Sequence, residues 1–164
     1  EKFSEAMDKF IAGECDIVTT DGSALVGRRA VNDALNDWSI FPTSPISKEP
    51  LGPVYRSNDS KWGDVINWVV YATIIADEYG VTSANVDSVD TDALPELGRL
   101  FGANDGELQS VMGLDKKAFY NVIKQIGNYD EIYSRNLNPV GLFREGGAND
   151  RWTNGGLIYA PPAR

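Results

Sequence analysis

The run Cys15–Thr20, CDIVTT, reads as a short buried strand, and a buried strand cannot stand alone. Its backbone groups need strands on either side and its two faces need covering helices. The sequence supplies few such neighbours. Trp38–Phe41 is a short apolar run before Pro42 and Pro45 and predicts a strand entering a loop. Ile46–Arg56, ISKEPLGPVYR, mixes strand formers with Pro50 and Pro53, which cannot donate to a ladder; it predicts an edge strand or a crossover connection. Against these few strands stand roughly twice as many helical patterns. The expected class is α/β, helix-rich in this chain, with the character of one piece of a larger α/β protein.

The helical patterns are more explicit. Phe3, Ala6, Met7, Phe10 and Ile11 repeat at the spacing of an amphipathic helix, and Gly13 is a natural stop. Ala24–Leu35 predicts a second helix. A long helix is expected over 61–79, capped by the polar turn Asn58–Ser60 and ended by Gly80. Trp62, Val65, Ile66, Val69, Thr73 and Ala76 line one of its faces, while Trp68, Tyr71 and Ile75 make a second face apolar, so it should be covered on two sides. Beyond Gly80 the chain turns polar and acidic. Short helices are then predicted at 94–101, 107–112, 116–126 and 130–136, with Asp92 and Asp115 placed as N-caps. The last twenty residues, rich in Gly, Asn and Pro, read as an ordered tail anchored by Trp152, Leu157, Ile158 and Tyr159.

Charge and composition remove several functions. The 164 residues carry 15 basic and 24 acidic side chains, a net charge of −9. That disfavours nucleic acid as a partner, because phosphate binding needs a basic face. With no histidine, His-based triads, His general bases and His-containing metal sites are excluded. One cysteine, Cys15, excludes Cys-rich zinc sites and any disulfide within the chain. Cys15 is expected as a buried small hydrophobe, with half of a disulfide to an outside partner as the alternative. The longest apolar run, Val65–Ala76, contains Asn67 and Thr73 and is too short to span a bilayer. The first residues read as helix rather than as a leader; the expectation is a cytosolic protein or one whose N-terminal part has been removed.

Local motifs add little chemistry. Asp87, Asp90 and Asp92 lack the Gly and Glu positions of an EF-hand and are interrupted by Pro95, so a solvated loop is expected. Gly146-Gly147 and Gly155-Gly156 follow no strand and carry no Lys-Ser/Thr, so they read as turns rather than phosphate loops. Arg28-Arg29 reads as a solvated helix face, and Ser23 as a helix-start residue without an activating base. No cofactor or metal site and no catalytic residue is expected. Asp21 is the exception. It stands where a predicted strand stops and a helix begins, the place where α/β proteins bind ligands. It is either a turn former or cap, or the counter-charge of a bound cation, with the Thr19 and Thr20 hydroxyls and the free helix-start amides completing a polar cradle.

Five segments in order carry a resemblance: GECDIVTTDGSAL (13–25), ISKEPLGPVYR (46–56), EYGVTSANVD (78–87), AFYNVIKQIGNYDEIYSRN (118–136) and WTNGGLIYAPPAR (152–164). Together they resemble the C-terminal half of the periplasmic general L-amino-acid-binding proteins, the substrate-binding components of polar amino-acid ABC transporters. The resemblance covers nearly the whole chain. It implies part of a periplasmic-binding-protein type II fold, a two-lobed clamp that closes on its ligand. Residues 1–45 would form the C-terminal part of the second lobe, 46–56 the crossover strand or hinge, 57–80 a first-lobe helix, and 81–164 a helical extension packing on the first lobe. Asp21 falls on the family's acid that pairs with the ligand α-ammonium, with Thr20 and Gly22 as weaker ligand-binding candidates.

The family's N-terminal half has no counterpart here, and with it go the arginine that grips the ligand carboxylate and the aromatic residues beside the ligand. The implied partners are an L-amino acid in the full-length parent, a membrane permease, and the N-terminal half of the same protein or a swapped copy. The implied location is the periplasm, and the chain is not an enzyme. The alternative is an enzyme on the same bilobal fold, of the arogenate- or prephenate-dehydratase type. A receptor sensor domain should continue into a signalling segment, and the close at YAPPAR argues against it.

Overall fold

A computed structural model describes residues 2–35, 37–42, 44–47 and 50–164. The chain divides into two compact units, residues 1–51 with 140–142, and residues 52–139 with 143–164.

In the first unit, helix α1 is Phe3–Ile11 and helix α2 is Gly22–Asn32. The Glu5 carboxylate accepts the Lys2 backbone N–H at 3.2 Å, which satisfies a donor at the open start of α1. Gly13 stops that helix region in the left-handed conformation, φ 75°. Met7 and Val26 are buried, and the Phe10 and Trp38 rings meet edge to face with centroids 4.9 Å apart. Trp38 is held there by Asp33, whose carboxylate accepts the N–H groups of Asp37 at 2.8 Å and Trp38 at 2.9 Å.

The expected strands do not form. Cys15–Thr20, Trp38–Phe41 and the described part of Ile46–Arg56 (Lys48 and Glu49 lie outside the described residues) run without a ladder. Among the described residues, β pairing is limited to one isolated bridge between Arg151 and Ile158. The reason is the one the sequence raised: a strand is made by its neighbours, and this chain brings none alongside these segments. Ile17, Leu51 and Val54 are accordingly exposed, Val54 at 93%.

The second unit holds the principal core. Helix α3, Ser60–Glu78, begins on Asp59, whose carboxylate accepts the Trp62 N–H at 3.1 Å, and its end is turned by Gly80 at φ 66°. Helices α4 (Pro95–Leu100) and α5 (Leu108–Val111) follow. Helices α6 (Ala118–Ile126) and α7 (Tyr129–Leu137) both pack on α3. Ile75, Leu97, Leu100, Phe119 and Ile123 are fully buried at the centre; burial stabilises each by about 1.5–3 kcal/mol. Two-sided cover is realised over residues 72–77, all buried, whereas Trp62 at the start of α3 stays exposed.

One expected cap and part of the expected tail anchoring fall to other residues. Asp90, not Asp92, satisfies the turn before α4, its carboxylate accepting from the N–H groups of Asp92 and Ala93. The tail is held only in part by the expected side chains: Leu157 and Tyr159 are exposed, Ile158 is half-buried, and Trp152, though exposed, donates its indole N–H to Glu78. Arg144 reaches back to Asp77 on α3 at 2.6 Å, and Arg151 Nε lies 3.7 Å from the same carboxylate. The Asp150 carboxylate gathers the N–H groups of Gly146 and Arg151 and the Asn154 amide. Gly156 passes so close to the Asp150 backbone that any side chain would collide with it.

Candidate functional site

Asp21 is the residue before α2, with φ −52° and ψ 139°. Its carbonyl accepts the Leu25 N–H at 3.0 Å, opening the helix. Its carboxylate caps nothing and makes no hydrogen bond or ion pair with any described residue. A negative charge at a helix N-terminus sits favourably in the dipole field, and here it remains available to solvent, since Asp21 is exposed. Thr20 beside it is half-buried, and Gly22 opens the helix with no atom within 4 Å of where a Cβ would lie. The three sequence-predicted site residues are thus adjacent at one open start of a helix. The corner brings together one acid, one hydroxyl and the free N–H groups of a helix start.

The remaining candidates stay ordinary. Cys15 is exposed rather than buried, because the segment carrying it has no covering layer. Asp87 is tied to Lys124 at 2.7 Å and to the Tyr120 hydroxyl, which hold its carboxyl below the usual range. Among the described residues no group of three or more His, Cys, Asp or Glu side chains is placed to hold a metal ion. No helix among them is long and apolar enough to cross a membrane.

The structure also assembles a groove that the sequence did not suggest. Glu78 and Tyr79 at the end of α3 face Glu96 on α4, with Trp152, Tyr159 and Pro162 of the tail around them, enclosing about 630 Å³. Trp152 Nε1 donates to Glu78 at 2.9 Å, the Tyr79 hydroxyl to Glu96 at 2.8 Å, and the Ala163 N–H to Glu96 at 2.7 Å. Burial pushes the Glu78 carboxyl above its usual value; the Trp152 hydrogen bond opposes this and the Glu96 charge adds to it. Its bonded members Glu78 and Trp152 stand 74 positions apart, so no local pattern could have announced it.

Comparison with known proteins gives these corners a context. The chain is 44% identical over 165 residues to a glutamate/glutamine/aspartate/asparagine-binding protein of Rhodobacter capsulatus, matching 98% of this chain and 48% of that protein. It is 40% identical over 168 residues to a general L-amino acid-binding periplasmic protein of Rhizobium johnstonii, matching 100% of this chain and 48% of the relative. Among solved structures, an ABC transporter periplasmic binding protein from Brucella ovis with glutathione bound superposes with a TM-score of 0.89 at 40% identity, covering 100% of this chain and 51% of that one. No family model matches. The chain spans about half the length of the curated relatives it matches, and the matched part is their C-terminal half. The resemblance read from the five ordered segments is therefore to real homologues: periplasmic amino-acid-binding proteins of ABC transporters.

Proposed function

We propose that this chain is the C-terminal half of a periplasmic solute-binding protein that captures L-amino acids and delivers them to an ABC transporter permease. The observation that carries the reading is the match of the whole chain, in sequence and in fold, to one half of amino-acid-binding proteins. Residues 1–45 belong to the second lobe of a bilobal clamp, 46–56 cross between lobes, 57–80 form a first-lobe helix and 81–164 an extension on that lobe. The N-terminal half of the same protein, or a swapped copy, supplies the strands that segments 15–20 and 50–56 lack. The relatives are named as binding proteins, which favours transport over catalysis on the same fold.

Asp21 pairs with the ligand α-ammonium, and Thr20 and Gly22 line the same corner. Its lack of any partner among the described residues supports this role, since a desolvated ammonium needs a free carboxylate. Glutamate, glutamine, aspartate, asparagine and glutathione, the ligands named for the relatives, share a free α-amino-acid head. The ligand class is therefore any small molecule presenting that head.

Calorimetry tests the proposal. The 164-residue chain alone should show negligible affinity for glutamate and glutamine, because half the clamp is missing. A chimera joining it to the N-terminal half of the Rhodobacter capsulatus relative should bind, and Asp21→Asn in that chimera should weaken binding at least about 100-fold. Micromolar binding by the chain alone, or unchanged affinity of the Asp21→Asn chimera, contradicts it.

A further inference from the structure

We propose that the groove between α3, α4 and the tail binds an organic cation, a guanidinium or a methylated ammonium, at a site distinct from the Asp21 corner. Glu78 and Glu96 place two carboxylates in one concavity, and every hydrogen-bond donor found on them is neutral: an indole, a phenol and backbone amides. Among the described residues no lysine or arginine is ion-paired with either carboxylate. The two nearby guanidiniums are engaged elsewhere, Arg99 on the Ala163 carbonyl and Arg151 at Asp77. The neutral donors fix the carboxylates in place and leave their charge uncompensated.

The walls select the kind of cation. Tyr79, Trp152 and Tyr159 are 43%, 59% and 68% exposed around the same groove. Aromatic faces attract soft, weakly hydrated cations through their quadrupole, most strongly at Trp. Calcium or magnesium would instead need about six oxygen ligands, and the groove offers two carboxylates already bonded to neutral donors. Its volume of about 630 Å³ falls within the range of small-ligand sites, about 300–1,000 Å³. The same carboxylates also clip the tail to the helices, so the test must separate clip from site.

Trp152 provides the probe, because its indole N–H is bonded to Glu78. In a nitrogen-15-labelled chain, with the Trp152 indole resonance assigned through Trp152→Phe, the expected result is a saturable shift with choline or Nα-acetyl-argininamide at millimolar concentration. Their neutral isosteres, 3,3-dimethylbutan-1-ol and Nα-acetyl-citrullinamide, should bind about tenfold more weakly or worse. Glu78→Gln, which keeps an acceptor for the indole, should weaken the cations by a similar factor. The tighter of the two cations names the source, a free quaternary ammonium or an arginine side chain. Equal binding of the neutral isosteres, no saturable shift, or unchanged affinity in a folded Glu78→Gln chain overturns the proposal. The isostere comparison needs no variant, and neither outcome depends on whether Asp21 binds amino acids.

Discussion

Two carboxylates, Asp21 and Glu131, illustrate how differently the fold can treat one functional group. Among the described residues Asp21 has no partner. Glu131 is surrounded by donors: Ser83 Oγ at 2.6 Å, Ser83 N–H at 3.0 Å and Asn128 N–H at 2.8 Å. Asn128 completes a capping box by accepting the Glu131 N–H at 2.9 Å, and its buried amide donates to the Val81 carbonyl at 2.8 Å. Burial alone would raise the Glu131 carboxyl, but the Ser83 and Asn128 hydrogen bonds outweigh it and hold it below its ordinary value of 4.5. A lowered native pKa contributes stability that is present above the unfolded value and is lost as pH falls through the folded one. Urea midpoints measured from pH 7 to pH 3 should therefore separate the native chain from Glu131→Gln at neutral pH and converge in acid. Parallel curves would show that the carboxylate charge does not matter. Both acids were open to different degrees in the sequence: Asp21 stood out at an Asp-Gly corner, while the Asn-Tyr-Asp-Glu box, the usual helix-start pattern, passed without notice.

Among the elements, helices were legible and strands were not. Helices α1 and α3 start and stop within two residues of their expected bounds, because their signals are local: apolar spacing, an Asp cap, a glycine stop. Strand signals are equally local, but strand formation is not, and CDIVTT remains an unpaired run. The tail is less legible for a related reason. Its rings suggest anchors, and Trp152 does bond to Glu78, but the buried anchor is the Asp77–Arg144 pair, in which both side chains are nearly inaccessible. Burial raises the Asp77 carboxyl, and the Arg144 and Arg151 guanidiniums oppose that rise. Arg144 also lies over the Tyr129 ring, 4.9 Å from its centroid, so the pair ties the tail to α3 and α7 together. Asp77→Ala should cost about 3 kcal/mol in a urea titration, because Arg144 loses its buried partner and keeps only the more exposed Asp130 carboxylate at 3.3 Å. The double replacement Asp77→Leu, Arg144→Met should recover most of that loss; a single variant as stable as the native chain would remove the pair from the account.

At the level of the whole chain, open segments fall in both units. The second has a closed core around Ile75, Leu97 and Phe119. The segments at 15–20 and 50–56 show apolar side chains to solvent, with Ile17 at 69% and Leu51 at 76%, and none of their amides donates a backbone hydrogen bond among the described residues. Exposed apolar side chains on an unpaired backbone fit segments that would join a sheet in the proposed parent. The proposed ligand site is half legible for the same reason: Asp21 can be found from its own neighbours, whereas in the proposed parent the groups facing it belong to the N-terminal half. The most direct test is amide hydrogen exchange at 15–20 and 50–56, compared between the chain alone and the chimera with the Rhodobacter capsulatus N-terminal half. The account predicts fast exchange in the isolated chain and strong protection in the chimera, as both segments join a sheet. Equally fast exchange in a folded chimera would contradict it.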